Sequence, residues 1–100
     1  MGDLMGSFLV TVGLYATSCD YVYEINVGAF ESLETAKTEV EKALEGDFRA
    51  ILSKVGVDES DDIVFIHIGQ IPDGFGKVKL MVSYRIAEDG AWNIVPMVRV

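Results

Sequence analysis

Apolar residues in the first third of the chain follow the alternation of β-strands. Residues 8–15 are rich in valine, leucine and aromatic side chains, and residues 21–27 place every second side chain on one side: Tyr21, Tyr23, Ile25 and Val27. Residues 16–20, between the two segments, are mostly small or polar types that favour turns. The pattern therefore predicts two strands joined as an antiparallel hairpin.

The hydrophobic period changes to three and four after residue 32, which is typical of one face of an amphipathic helix. The apolar positions are Leu33, Ala36, Val40, Ala43, Leu44, Phe48, Ile51, Leu52 and Val55. Ser32 is a favourable N-cap, and Gly56 is a favourable residue just past a helix C-terminus. Because the apolar stripe stays in phase across Gly46, the sequence predicts one long helix, with or without a kink at that glycine.

The second half of the chain predicts three more strands. Residues 63–68 form an apolar run interrupted only by His67, as expected of a central strand that is covered on both faces. Residues 77–87 alternate, and the side chains predicted to face inward are Val78, Leu80, Val82, Tyr84 and Ile86. Pro96 lies within the last predicted strand, at 92–100, and favours an edge position or a bulge there.

These elements follow one another in the order β-β-α-β-β-β. They predict a single domain over residues 1–100 of the α+β class. The expected architecture is a two-layer sandwich in which one long helix packs on a mainly antiparallel five-stranded sheet. One helix covers only part of such a sheet, so the composition of the second sheet face bears on function.

The sheet face away from the predicted helix is more apolar than a solvated face should be. Strand alternation places on it Leu9, Val64, Ile66, Ile68, Met81, Val95 and Met97. A contiguous exposed apolar patch usually marks an interface, so we expect self-association, as a dimer, through this face or through an edge strand. Two alternatives stay open: a loop or terminus covers the face, or the alternation slips at a bulge.

Charge adds a second candidate surface. The chain has 16 acidic and 8 basic residues, a net charge of −8, and residues 20–62 contain 12 of the acidic and 4 of the basic residues. This excess opposes nucleic-acid binding, which depends on lysine and arginine. The alternative function is therefore an acidic inhibitor or decoy that binds a basic surface of another protein. Its candidate residues are Glu39, Glu41, Asp58, Glu59, Asp61 and Asp62.

The residue types limit the chemistry of the chain. Cys19 and His67 are its only cysteine and histidine, which excludes an intrachain disulfide and a structural zinc site. The acidic loop at 58–62 lacks the glycine and the later glutamate of a calcium loop. We therefore predict no metal and no cofactor. The lone cysteine, the lack of a basic leader and the lack of a membrane-spanning segment favour a cytoplasmic protein.

An enzymatic or small-molecule-binding function is the least favoured alternative. It would use a pocket between helix and sheet, with His67 or Glu24 as general base. Hydrogen-bond donors there would come from Tyr21, Tyr23 or Tyr84. No residue motif near His67 has a nucleophile signature, so we expect a non-catalytic protein.

Overall fold

The computed structural model describes residues 7–86 and 92–96, which form one antiparallel sheet and two helices. The strands are Phe8–Ala16 (β1), Tyr21–Phe30 (β2), Asp62–Gln70 (β3), Lys79–Ile86 (β4) and Trp92–Pro96 (β5). The helices are Leu33–Glu45 (α1) and Phe48–Lys54 (α2). Strand order in the sheet is β2-β1-β3-β4-β5, so β1 and β3 occupy the middle of the four strands β2-β1-β3-β4.

The α+β class and the antiparallel sheet agree with the sequence prediction, but the single long helix is wrong. The chain leaves the helical conformation at Gly46, whose φ is −101° and ψ is −130°. Asp47 then caps a new helix, because its side chain accepts a hydrogen bond from the backbone N–H of Ala50 at 3.3 Å. The element order is therefore β-β-α-α-β-β-β.

Both helix ends that the sequence indicated are present. Ser32 is the N-cap of α1 and accepts a hydrogen bond from the Thr35 N–H at 3.1 Å. Gly56 follows α2 with a φ of +88°, a left-handed conformation that glycine adopts without steric cost. Within the described part of the chain, neither helix combines the length and the apolar character that a membrane crossing requires.

The core lies between the helices and one face of the sheet. Val12 and Leu14 of β1 and Ile66 and Ile68 of β3 are fully buried there. From the helices, Ala36, Val40, Phe48 and Leu52 close over them. Because α1 and α2 bury successive parts of one apolar stripe, its phase survives the break at Gly46. Burying one such aliphatic side chain contributes about 1.5–3 kcal/mol, so this layer dominates the stability of the fold.

Three bulges change which side chains face the helices. In β3, Ile63 pairs with Leu14 and Phe65 with Gly13, so Val64 is an extra residue in the ladder. In β4, Met81 is extra, and in β2, Val27 is extra. Each extra residue shifts the alternation by one position, which exchanges the two faces of the strand beyond it.

The bulges overturn part of the predicted apolar face. Ile66 and Ile68 were assigned to the face away from the helix, but both are fully buried under the helices. Leu80 was assigned to the core, but it pairs with Gly69 on the other side of the sheet. Met81 packs against the core instead. Leu9 does lie on the uncovered face, and Met97 is outside the described residues.

A polar contact ties the loop after α2 to the sheet. The hydroxyl of Tyr23 donates a hydrogen bond to Oδ2 of Asp61 at 2.5 Å, and Arg49 donates through Nη2 to the Asp61 carbonyl oxygen at 2.7 Å. Asp61 is only 7% exposed. The bond to this carboxylate raises the pKa of Tyr23 to about 12, because ionising the phenol removes the donated proton.

Replacing Tyr23 tests this contact. We expect Tyr23→Phe to lower the free energy of unfolding at pH 7 by about 1–3 kcal/mol, because the buried carboxylate loses a donor. The phenol favours the folded state fully below pH 10 and loses its contribution as the pH rises toward 12, so the difference between the two proteins should narrow over that range. Urea denaturation of both proteins at several pH values measures this difference in the free energy of unfolding.

Tyr21→Phe is the control, because the Tyr21 side chain is about half exposed. Its free energy of unfolding should stay within about 0.5 kcal/mol of the original protein. An equal loss in both variants, or a constant difference up to pH 12, would contradict a specific bond between Tyr23 and Asp61.

Candidate functional site: the open face of the sheet

The sheet face opposite the helices is the candidate site, and we call it the open face. Among residues 7–86 and 92–96, no helix packs on it. Strand pairing arranges its residues in rows that cross β2, β1, β3 and β4 in that order. One row is Glu24, Gly13, Phe65 and Arg85; the next is Asn26, Thr11, His67 and Ser83; a third is Ala29, Leu9, Gly69 and Leu80.

The ring of Phe65 lies over Gly13 at the middle of the open face. An ideal Cβ placed on Gly13 would stand only 2.2 Å from Cε2 of the Phe65 ring, so the ring occupies the space above that glycine. The same ring stacks on His67, with a centroid distance of 4.0 Å and an angle of 21° between the planes. The absence of a side chain at Gly13 therefore lets the Phe65 ring lie close to the backbone of β1 while it stacks on His67.

A second close approach occurs one strand along. An ideal Cβ on Gly69 would stand 2.6 Å from Cγ1 of Val78, so this valine covers the glycine as Phe65 covers Gly13. Leu9 and Leu80 flank that position in the same row and are half-buried. The third row is thus apolar across β1, β3 and β4.

Two opposite charges border the aromatic centre. Glu24 on β2 is exposed and accepts a hydrogen bond from the Thr11 hydroxyl at 2.6 Å. Arg85 on β4 is also exposed, and within the described ranges it forms no ion pair. The open face is therefore apolar in its middle and oppositely charged at two sides.

His67 is held in a poorly hydrated environment. Burial lowers its pKa below the ordinary value of 6.5, while the charge of Glu24 acts to raise it and that of Arg85 to lower it. The Nε2 atom of His67 and the hydroxyl of Ser83 are both shielded from solvent and have no hydrogen-bond partner in the described structure. Ser83 is 4% exposed. Such unpaired groups are uncommon in folded proteins.

A shallow depression of about 280 Å³ opens on this face. It is lined by Leu9, Thr11, Glu24, His67, Gly69, Val78 and Leu80. A second cavity, of about 380 Å³, lies between β2 and the two helices, where Val27, Phe30 and Ile51 make its walls apolar. Neither His67 nor Glu24 lines this second cavity.

The structure separates the residues of the predicted catalytic pocket. Tyr23 and Tyr84 belong to the helix side of the sheet, where Tyr84 is fully buried and donates to Oε2 of Glu41 at 3.4 Å. His67 and Glu24 are on the open face. A pocket between helix and sheet therefore cannot combine either proposed base with these tyrosines, because the sheet itself lies between them.

The acidic residues predicted to bind a basic partner have different environments. Asp61 is buried beneath Tyr23 and is not available to a partner. The others are exposed: Glu39, Glu41, Asp58, Glu59 and Asp62. The N–H and hydroxyl of Ser60 donate to Asp58 and lower its pKa, which keeps it charged. Binding of a basic partner by these exposed carboxylates stays a prediction.

No cluster of three or more histidine, cysteine or carboxylate side chains suited to a metal ion occurs among the residues whose positions are described. Cys19 is exposed in the turn between β1 and β2. The open face therefore offers apolar contact, a few hydrogen-bonding groups and two charges. Ser83 and His67 share a row of this face, but no hydrogen bond joins the serine hydroxyl to the imidazole.

Sequence reasoning missed Gly13 and Phe65 as partners in this face. A glycine inside a strand often marks a close approach of another group to the backbone, and Gly13 and Gly69 both satisfy that rule. That signal identifies the two positions. It does not identify the covering residues Phe65 and Val78, because these depend on strand register.

No protein-family model, no curated protein and no solved structure matches this chain. Its function is therefore inferred from the geometry of its own residues.

The cover of Gly13 by Phe65 can be tested with a double-mutant cycle. We expect Gly13→Ala to lower the free energy of unfolding by about 1–3 kcal/mol, because the new methyl group displaces the ring. In a Phe65→Ala background the same change should cost less than about 0.5 kcal/mol, since no ring is left to move. Chemical denaturation of the four proteins gives the coupling energy; additive effects would show that the ring does not occupy this space.

The electrostatics of His67 can be measured by NMR titration of the only imidazole in the chain. We expect a pKa below 6.5, a further decrease in Glu24→Gln and an increase in Arg85→Gln. The folded state disfavours the protonated ring. The contribution of His67 to the free energy of unfolding should therefore be fully present above pH 6.5 and should decrease as the pH falls toward the pKa of His67 in the folded protein. Glu31→Gln is the control and should leave the pKa unchanged; a shift of one sign in both test variants would contradict the described placement.

Proposed function

We propose that this chain is a small non-catalytic interaction domain that self-associates as a dimer through the open face. The observation that supports this most directly is the aromatic and aliphatic patch of Phe65, Leu9 and Leu80, three half-buried side chains on a face that no described helix covers. The open face of a second copy of the chain, packed against this one, would remove both apolar surfaces from water.

The size of the open face is sufficient for a dimer. Four strands about 4.8 Å apart, with eight residues at about 3.3 Å each, present a face of roughly 500 Å². Two such faces together bury about 1,000 Å², which is the lower bound for a specific interface. Two sheets packed face to face lie about 10 Å apart, which leaves room for the side chains of both inner faces.

Association through the face is favoured over addition of a strand at the β2 edge. The extra residue Val27 falls in the middle of β2, where the register with β1 shifts between Val10 and Thr11. A bulge interrupts the regular spacing of hydrogen-bonding groups that a new strand would need.

Light scattering across a hundredfold concentration range tests the proposal. The original protein should have twice the mass of one chain, and Leu80→Glu should have the mass of one chain, because a carboxylate would be buried in the interface. Ala29→Glu introduces the same charge at an exposed position of the same face and should raise the dissociation constant at least about tenfold.

Phe75→Ser is the matched control. Phe75 is a fully exposed apolar side chain in the loop before β4, so its removal changes surface apolarity without touching the open face. This variant should remain dimeric. A monomeric original protein at the highest concentration, or a Leu80→Glu protein that is folded by circular dichroism and still dimeric, would contradict the proposal.

A further inference from the structure

One row of the open face contains opposite charges at equivalent positions. Strand register places Glu24, Gly13, Phe65 and Arg85 side by side on β2, β1, β3 and β4. Glu24 and Arg85 therefore lie equally far, on opposite sides, from the line that runs between β1 and β3. Three strand spacings separate them, about 14 Å, so they are too far apart to pair within one chain.

We propose that a second copy of this chain packs on the open face about a two-fold axis that runs parallel to the strands, between β1 and β3. This inference rests on the proposed dimer and specifies its geometry. Such an axis exchanges β1 with β3 and β2 with β4 while each row stays opposite itself. Glu24 then faces the partner's Arg85, and Arg85 faces the partner's Glu24.

The other rows are compatible with the same axis. Thr11 and His67 exchange places, so the hydroxyl of one chain meets the imidazole of the other. Leu80 faces the partner's Ala29, which sets a large side chain against a small one. Leu9 meets the Val78 side chain that covers the partner's Gly69, which is an apolar contact. The two sheets keep their strand directions aligned, as in β-sandwiches, and no two like charges among these rows oppose each other.

The main competing arrangement has its axis perpendicular to the strands. If that axis passed through the charged row, Glu24 would face the partner's Glu24 and Arg85 would face the partner's Arg85. Like charges that face each other in an interface are strongly unfavourable. Of these two arrangements, the charge distribution favours the axis parallel to the strands, in which both charges of each chain find an opposite partner.

Charge exchange tests the axis. Glu24→Arg and Arg85→Glu each replace two attractive pairs by two repulsive ones, and we expect each to raise the dissociation constant of the homodimer about 100-fold, about tenfold for each pair. The double variant, Glu24→Arg with Arg85→Glu, restores both attractions with the charges exchanged. Its dissociation constant should return to within about threefold of the original value. The original protein and all three variants are compared by sedimentation equilibrium at low ionic strength.

Mixing Glu24→Arg protein with Arg85→Glu protein gives a further test, in which heterodimer formation is measured. One chain then has two arginines in the charged row and the other has two glutamates, so they should form a heterodimer at least about tenfold more stable than either homodimer. Glu45→Arg and Lys54→Glu are matched controls, because they make the same changes of net charge at exposed positions of the helices, which pack on the opposite face of the sheet. Both controls should dimerise as the original protein does.

The outcomes separate this inference from the proposed function. A monomeric original protein overturns both. If Leu80→Glu abolishes a dimer but the single charge variants leave it unchanged, the open face is the interface and the axis is wrong. The axis is also wrong if the double variant does not dimerise more tightly than Glu24→Arg. Both variants lack the hydrogen bond from Thr11 to Glu24, so loss of that bond cannot account for a failure to recover. Weakening by the two controls to the same degree would show a net-charge effect only.

Discussion

The burial of one face of the β1–β3 pair beneath α1 and α2 is the interaction on which the rest of this structure depends. Val12, Leu14, Ile66 and Ile68 are fully buried on that face, and the helices provide the matching apolar stripe. Because two short helices can cover only one side of a sheet, no helix among residues 7–86 and 92–96 packs on the other side. The candidate interaction surface is thus a direct consequence of how the core is built.

Bulges connect this core to the character of the open face. Each extra residue shifts the alternation of the strand by one position. Apolar side chains both before and after the bulge can then face the helices. In β4 the extra residue Met81 moves Leu80 onto the open face while Val82 and Tyr84 remain buried. In β3 the extra residue Val64 brings Phe65 opposite Gly13. The apolar centre of the open face therefore arises from register.

In the proposed dimer, the polar groups of the open face set the orientation of the partner chain. An apolar patch alone packs against any similar surface, whereas Glu24 and Arg85 in one row distinguish one orientation of a partner from another. The thickness of the sheet separates His67 and Glu24 from Tyr23 and Tyr84, so the acid–base pocket expected between helix and sheet does not form.

The sequence by itself determined the α+β class, the hairpin at the start, the cap at Ser32 and the helix end before Gly56, because these depend on local periodicity and on the conformational preferences of single residues. Only the tertiary structure decided that the helix divides at Gly46, that Ile66 and Ile68 are core residues, and that Glu24, Phe65 and Arg85 share a row. Periodicity alone cannot detect a bulge, since one inserted residue exchanges the faces of a strand and is revealed only by its pairing partner.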